Sequence, residues 1–423
     1  MSCTRTVLSI VCFLAIACSV HAQPAAARPD YWPRMAAAYY QHVNDLVKKE
    51  LASLRLVTEL TDDQGATVLD NLDESIAAWT TEAIAKRADP FATPILMRAQ
   101  QDAITIEVKK LLNPEAFQAY KADLALRHKF HRQTAQRAVL STMDSLLQMT
   151  NKQQASVAGM LESCWNDDWN GVVQFAGQLG SVLHIQDVFK KLPQEELKAT
   201  LSDSQWKLLV RMGDLSKTVA HDSPIGLAEL EGKAIGELKI QELTELCKLS
   251  TGESEKLQEA LDSSYAKTIE RKKVVYKSLG EGQIEHGDAA AIKDLMLPVS
   301  HMLFTDEAWT KAIDGVLSKE QFDKYTTRQR SHEMRHVSTM ASLMALGIQV
   351  EVGGVTGKQL IALKKLFEKH SAKLPYDPLQ LATVSHAIPG KEFQEILKDK
   401  QWDTLSKMLD RARDDGEIPA APE

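Results

Sequence analysis

The chain has 423 residues, 44% hydrophobic and 25% charged, which is enough for two hydrophobic cores. Its formal charge of −7, without a Lys/Arg-rich block, argues against nucleic acid as a partner. Only 20 Gly and 14 Pro interrupt it, and alternating β-branched runs bounded by turn residues are scarce, so the composition predicts an all-α protein.

The first element is a leader. Met1 to Arg5 is a short basic start, Val7 to Val20 an apolar stretch, and Val20-His21-Ala22 a small-residue cleavage site before Gln23. Residues 1–22 therefore read as a signal peptide, and the protein as exported to a periplasmic or extracellular space. The apolar stretch falls short of the roughly 20 residues of a spanning helix, and no later segment is a transmembrane candidate. A second reading makes Leu14-Ala15-Ile16-Ala17 a lipobox, with lipid anchoring through Cys18. Three of the five cysteines lie in the leader. The other two, Cys164 and Cys247, can bridge in an oxidising compartment or stay as buried thiols. Gln23 to Pro33, rich in Pro and Ala, predicts a mobile end.

From Leu60 onward a phrase recurs: an apolar residue, then Ser/Thr-x-x-Gln/Glu. Its first members are Leu60 to Gln64, Met149 to Gln153, Leu249 to Glu253 and Val355 to Gln359; its second members are Leu112 to Phe117, Leu201 to Trp206, Leu317 to Phe322 and Leu397 to Trp402. The offsets from first to second member are 52, 52, 68 and 42 residues, which predicts four tandem helical units. The phrase is a capping box. The Ser or Thr side chain accepts from the backbone N–H three residues on, and the Gln or Glu there accepts from the cap's own N–H. Thr61/Gln64, Thr150/Gln153, Ser202/Gln205, Ser250/Glu253, Ser318/Gln321 and Thr356/Gln359 fit it. Two copies depart: Ala116 stands where the Gln should follow Asn113-Pro114, and Lys398 replaces the cap before Gln401. Each second member carries an aromatic staple residue: Phe117, Trp206, Phe322 or Trp402. Val68 and Leu72, Val157 and Leu161, Leu257 and Leu261, and Leu363 and Phe367 recur at helical spacing and predict buried faces.

Uninterrupted helical patterns follow Phe117, through His128, His131 and Arg137 to Ser141-Thr142-Met143, and Phe322, through His332 and His336 to Ser338-Thr339-Met340. They predict two connecting helices, the second shorter by eight residues. Between the second and third units Gly213, Asp222-Ser223-Pro224 and Gly226 break the pattern. The expected organisation is a first helical half over 23–221, a second over 222–413, and a mobile tail over 414–423.

Paired phrases of this type, about half a hundred residues apart in an exported all-helical chain, resemble the periplasmic LTxxQ-motif (Spy/CpxP-like) family. The likeness covers most of residues 50–412. It implies helical proteins that bind unfolded clients without ATP or sense envelope stress, some of them with zinc. The expectation is thus a non-enzymatic, cofactor-free protein that binds other proteins or unfolded clients, with a structural scaffold of the envelope as the alternative.

A third reading is enzymatic. His332-Glu333-Met334-Arg335-His336 is an HExxH on a predicted helix, with two imidazoles four residues apart and Glu333 placed to activate a metal-bound water, as in a zinc-dependent hydrolase. Arg335 brings a charge where such enzymes carry an uncharged residue. Glu351 lies beyond an expected break at Gly347, Glu368 has no supporting pattern, and the first half has only His128-x-x-His131 at the corresponding place. A structural role for His332 and His336 is the expectation. Asn166 to Gly171 resembles the start of a calcium loop, but Gly177 stands at its twelfth place, and a turn is the better reading. Trp79, Trp165, Trp206 and Trp402 read as core and staple residues.

Overall fold

A computed structural model describes residues 31–85, 98–166, 169, 188–218, 224–280, 294, 297, 299–370, 384–385 and 387–414. The leader, the calcium-like loop beyond Asn166 apart from Trp169, and the end of the tail lie outside them. The described residues are all-α, without a strand. In chain order the helices are α1 (Tyr31–Val57), α2 (Asp62–Ala85), α3 (Arg98–Leu111), α4 (Pro114–Leu147), α5 (Asn151–Cys164), α6 (Gln194–Thr200), α7 (Asp203–Thr218) and α8 (Pro224–Cys247). They continue as α9 (Thr251–Gly280), α10 (Val299–Thr305), α11 (Glu307–Val316), α12 (Lys319–Val352), α13 (Gly357–Lys369), α14 (Gly390–Gln394) and α15 (Asp399–Asp414).

Helix starts follow the phrase. All six expected boxes form with both hydrogen bonds in place, at Thr61/Gln64, Thr150/Gln153, Ser202/Gln205, Ser250/Glu253, Ser318/Gln321 and Thr356/Gln359. The departed copies each keep half. Asn113 Oδ1 still accepts from Ala116 N at 2.8 Å, and Gln401 Oε1 from Lys398 N at 2.8 Å. Three of the preceding helices end on a left-handed residue two places before the cap: Gln148 (φ 49°), Lys248 (φ 56°) and Gly354 (φ 61°). That conformation stops the helix and turns the chain into the next cap.

The two connecting helices, α4 and α12, are each 34 residues long. The expected eight-residue difference took Ser-Thr-Met as the shared landmark. The helix ends are set by the turns at Gln148 and Gly353-Gly354, which lie at nearly the same distance from Phe117 and Phe322. Three expected breaks also fail, for α7 runs through Gly213 to Thr218, α8 runs from Pro224 through Gly226, and α12 runs through Gly347 to Val352. A single glycine costs a helix only about 1 kcal/mol, which flanking packing offsets.

Two compact units emerge, each with residues from before and after the division expected near residue 222. The first holds the described residues of 31–135, 166–169 and 340–414; the second holds those of 136–165 and 188–339. Each unit therefore takes material from both sides of that division, because α4 and α12 each contribute one end to each unit. In the first unit, Val43, Val47, Leu51 and Leu54 of α1 pack with Val68, Leu72 and Ile76 of α2, Ile104 and Val108 of α3, and Tyr120 of α4. A second cluster in that unit joins Phe130 to Met344 and Ile348 of α12, Leu363 and Phe367 of α13, and Phe393. In the second unit, Leu243 of α8, Leu257 and Leu261 of α9, and Trp309 and Ile313 of α11 form one cluster. All four expected pairs of apolar positions are buried, Val68/Leu72, Val157/Leu161, Leu257/Leu261 and Leu363/Phe367 alike. The staple aromatics Phe117, Phe322 and Trp402 are half-buried against these clusters.

Candidate functional site

The repeated phrase does more than start helices. Its Gln side chains reach across to the partner phrase of the same repeat. Gln153 Nε2 donates to Gln205 Oε1 at 2.8 Å and to Thr200 O at 3.1 Å, while Gln205 Nε2 donates to Leu147 O at 2.7 Å. Gln359 Nε2 likewise donates to Gln401 Oε1 at 2.8 Å and Ile396 O at 2.8 Å, and Gln401 Nε2 to Gly354 O at 2.7 Å. Each amide thus accepts from its own cap N–H and donates to a carbonyl at the other turn, tying two helix starts together. The other repeats keep part of this clasp: Gln64 Nε2 reaches Leu111 O at 3.4 Å where Ala116 offers nothing back, and Gln321 Nε2 reaches Cys247 O at 3.2 Å opposite Glu253. Satisfying buried carbonyls at turns is what these amides do chemically.

The HExxH segment of α12 lies in the second unit. His332 Nδ1 sits 2.6 Å from Asp144 Oδ2 on α4, and its Nε2 is 3.8 Å from Glu242 Oε1 on α8. Arg335 Nη2 meets the same Asp144 oxygen at 3.3 Å. Arg328 Nε donates to Glu242 Oε1 at 2.8 Å, its Nη1 to Asn151 Oδ1 at 2.7 Å, and its Nη2 to Met149 O. Lys239, with 1% of its side chain exposed, reaches Glu242 Oε2 at 2.8 Å and lies over the rings of Phe304 and Tyr325 at 5.6 and 5.7 Å. Burial pushes the Glu242 carboxyl up, but Lys239, His332 and Arg328 together hold it well below the usual carboxylate range. Burial pushes the His336 imidazole down to about 4, with His301 adding to the effect.

Glu333, the residue that would activate water in an HExxH enzyme, is exposed, as is Met334. No three His, Cys, Asp or Glu side chains among the described residues are arranged to hold a metal ion. Glu351 shares α12 with the two histidines but belongs to the other unit. What His332 does is pair α12 with α4 through Asp144. Cys164 and Cys247 are free thiols, the first half-buried and the second buried.

The first unit has its own buried polar centre. Arg127 of α4 makes a two-pronged contact with Glu50 of α1, Nη1 to Oε2 at 2.6 Å and Nη2 to Oε1 at 2.7 Å, and donates through Nε to Asp123 Oδ2 at 2.8 Å. Gln101 Nε2 and Tyr120 Oη donate to Glu50 Oε1 at 3.1 and 3.2 Å, and Gly357 N donates to Asp123 Oδ1 at 2.8 Å. Burial works against the charge on Glu50, but Arg127, Gln101 and Tyr120 hold its carboxyl below the ordinary value. Burial of Arg127 is likewise outweighed by Glu50 and Asp123, which raise it. One turn further along α4, His131 Nε2 meets Gln349 Oε1 at 2.8 Å, and burial pushes this imidazole down to about 4.

Neither polar centre was anticipated from the sequence, although a signal was present. Glu50 interrupts the apolar stripe Val43, Val47 and Leu54, and Lys239 lies between Ile235 and Leu243 at helical spacing. A charge within such a stripe demands a buried partner. No protein-family model, curated protein or solved structure matches the chain.

Proposed function

We propose that the protein is an exported, non-enzymatic helical protein that works by binding other macromolecules, restraining unfolded clients of the cell envelope without ATP. The observation that carries this reading is the use made of the reactive-looking side chains. His332, Arg335 and Arg328 are engaged in pairing α12 with α4 and α8, the phrase's Gln residues in tying turns together, and Glu333 stands apart from both. What remains for partners is helical surface. Large apolar side chains are exposed on it at Ile106, Val274 and Met334, and several weak apolar contacts along one chain add through effective concentration. The likeness of the paired phrases to the LTxxQ-motif family supports the same role, and the signal-like leader supports export.

The experiment is aggregation of an unrelated denatured protein with and without the purified chain, at near-equimolar ratio and without nucleotide. The expected result is a delay beyond that given by an inert helical protein of equal mass. No delay beyond that control rejects the client-binding reading in favour of an envelope scaffold. Stoichiometric zinc that is lost in His332→Ala, together with peptide cleavage lost in Glu333→Gln while zinc is retained, would replace both with a hydrolase.

A further inference from the structure

Inside the first unit, α13 and the end of α12 that belongs to this unit meet α4 along an apolar cluster and a short row of polar ties. Phe130 enters the cluster of Met344, Ile348, Leu363 and Phe367, and all five side chains are buried. Asp123 Oδ1 accepts from Gly357 N at 2.8 Å, and His131, the neighbour of Phe130, meets Gln349 Oε1 through Nε2 at 2.8 Å. With that amide oxygen as acceptor, the imidazole donates. His131 is 6% exposed, and the groups that face it disfavour a second proton. Arg127 and His128 lie on its own helix, Glu50 is presented by α1, and Gln349 of α12 brings no charge. Glu50 favours an imidazolium, but both of its oxygens are taken by Arg127. Asp123 is likewise engaged by Arg127 and Gly357, and Lys49 of α1 is tied to Val350 O, next to Gln349 on α12. An imidazolium here is desolvated beside a guanidinium, with the carboxylates around it already committed, and the ring is pushed down to about 4.

We propose that His131 is an acid-sensitive latch, whose protonation releases α13 and this end of α12 from α4 and uncovers the apolar cluster around Phe130 as a face for unfolded clients. Opening stands on the geometry alone, whereas the use of the uncovered face for clients rests on the function proposed above. In the open form the ring is in water and titrates near the ordinary value of about 6.5. Acid therefore favours the open form, by roughly 100-fold between pH 7 and pH 4. The helices do not depend on this contact, for α13 keeps its own capping box and the clasp from Gln359 to Gln401. What acid uncovers is a contiguous apolar face, of the kind a monomeric protein keeps covered.

The test follows the full chain from about pH 7 to about pH 4 with a dye that fluoresces on apolar surface and with far-ultraviolet circular dichroism. Dye fluorescence is expected to rise severalfold while helicity is retained. His131→Gln keeps a side-chain N–H for Gln349 and cannot take a charge, and it is expected to lower the rise by at least about half. Gln349→Glu gives the imidazolium a counter-ion, and it is expected to move the midpoint down by about half a pH unit or more. His370→Gln, which alters a contact to Glu392 elsewhere in the same unit, is expected to leave the rise unchanged. No rise, a rise accompanied by loss of helicity, or an equal rise in His131→Gln overturns the latch. If His131→Gln binds dye already at neutral pH, Gln349→Glu decides, and an unmoved midpoint overturns it. Aggregation of a denatured client, followed at both ends of the range, separates the two ideas. A longer delay in acid that is lost in His131→Gln supports both, and a dye transition that depends on His131 without any delay at either pH supports the latch and rejects the client-binding reading.

Discussion

The polar centres of the two units occupy matching places with opposite charge. Glu50 lies eleven residues before the cap Thr61, and Lys239 eleven before Ser250; Tyr120 and Tyr325 each stand three residues after the staple aromatic. In the first unit a buried acid at this place takes a guanidinium from α4, with Tyr120 and Gln101 completing its hydrogen bonds. In the second unit a buried ammonium takes an acid from its own helix and two aromatic faces, and the place of Arg127 is held by His332. A helical plan of this kind specifies that a charge at this place be matched, and leaves its sign open. The consequences for stability differ because the acid Glu242 has a second partner in Arg328, whereas among the described residues the cation paired with Glu50 is Arg127.

The largest expected difference follows directly. Arg127→Met leaves Glu50 buried without its cation and is expected to destabilise the chain by about 3–5 kcal/mol. Lys239→Met removes a desolvated ammonium and leaves Glu242 with Arg328, so the expected cost is about 1 kcal/mol or less. Denaturant midpoints of the two variants check this. Equal losses would show that the centres are energetically alike despite their geometry.

Acid is expected to act on both units in the same sense. His131 and His336 have folded values of about 4, below the ordinary histidine value of about 6.5. The unfolded chain therefore takes up these protons first as pH falls. The stabilisation is complete above about pH 6.5 and is lost progressively down to about pH 4, by about 3 kcal/mol for each imidazole at most. His131→Gln is expected to flatten the slope between pH 6.5 and 4 by about half, measured as unfolding free energy against pH. An unchanged slope would show that His131 protonates without penalty.

A smaller contrast lies at the residue after the cap. A Cβ on Gly357 would come 2.5 Å from Leu126 Cβ and 3.2 Å from Asp123 O, while the matching Asn151 is exposed. Gly357→Ala is expected to cost about 1–3 kcal/mol through overpacking, and Asn151→Ala about 0.5 kcal/mol. Thermal midpoints that fall equally would remove the distinction between a tight and an open turn.

Local structure was legible in the sequence to the residue. Boxes such as Thr150/Gln153 and Thr356/Gln359, and buried faces such as Leu257/Leu261, depend on contacts within a few positions, and there the spacing carries the physics. The Gln clasp was only half legible, since the box fixes one end of Gln205 while its bond to Leu147 O depends on packing. Helix length was misread where an apparent landmark, Ser-Thr-Met, competed with the turn residues Gln148 and Gly353-Gly354 that end the helices. The pairing of α4 with α12 was not legible, because His131 with Gln349 and Asp144 with His332 join residues about two hundred positions apart. His332 and His336 are legible as a motif. The neighbours that define their role, Asp144 and Glu242, carry no signature in one sequence.

The compact units combine residues from both sides of positions 219–223, and each is expected to open as a cooperative unit. Amide hydrogen exchange of the full chain carrying Arg127→Met tests it most directly, since sub-global opening appears as contiguous loss of protection. The expected result is lost protection over the described residues of 31–135 and 340–414, with 136–165 and 188–339 keeping theirs. Loss that instead covers the described residues of 31–218 and spares those of 224–414 would show that the chain opens as two sequential halves divided near residue 222.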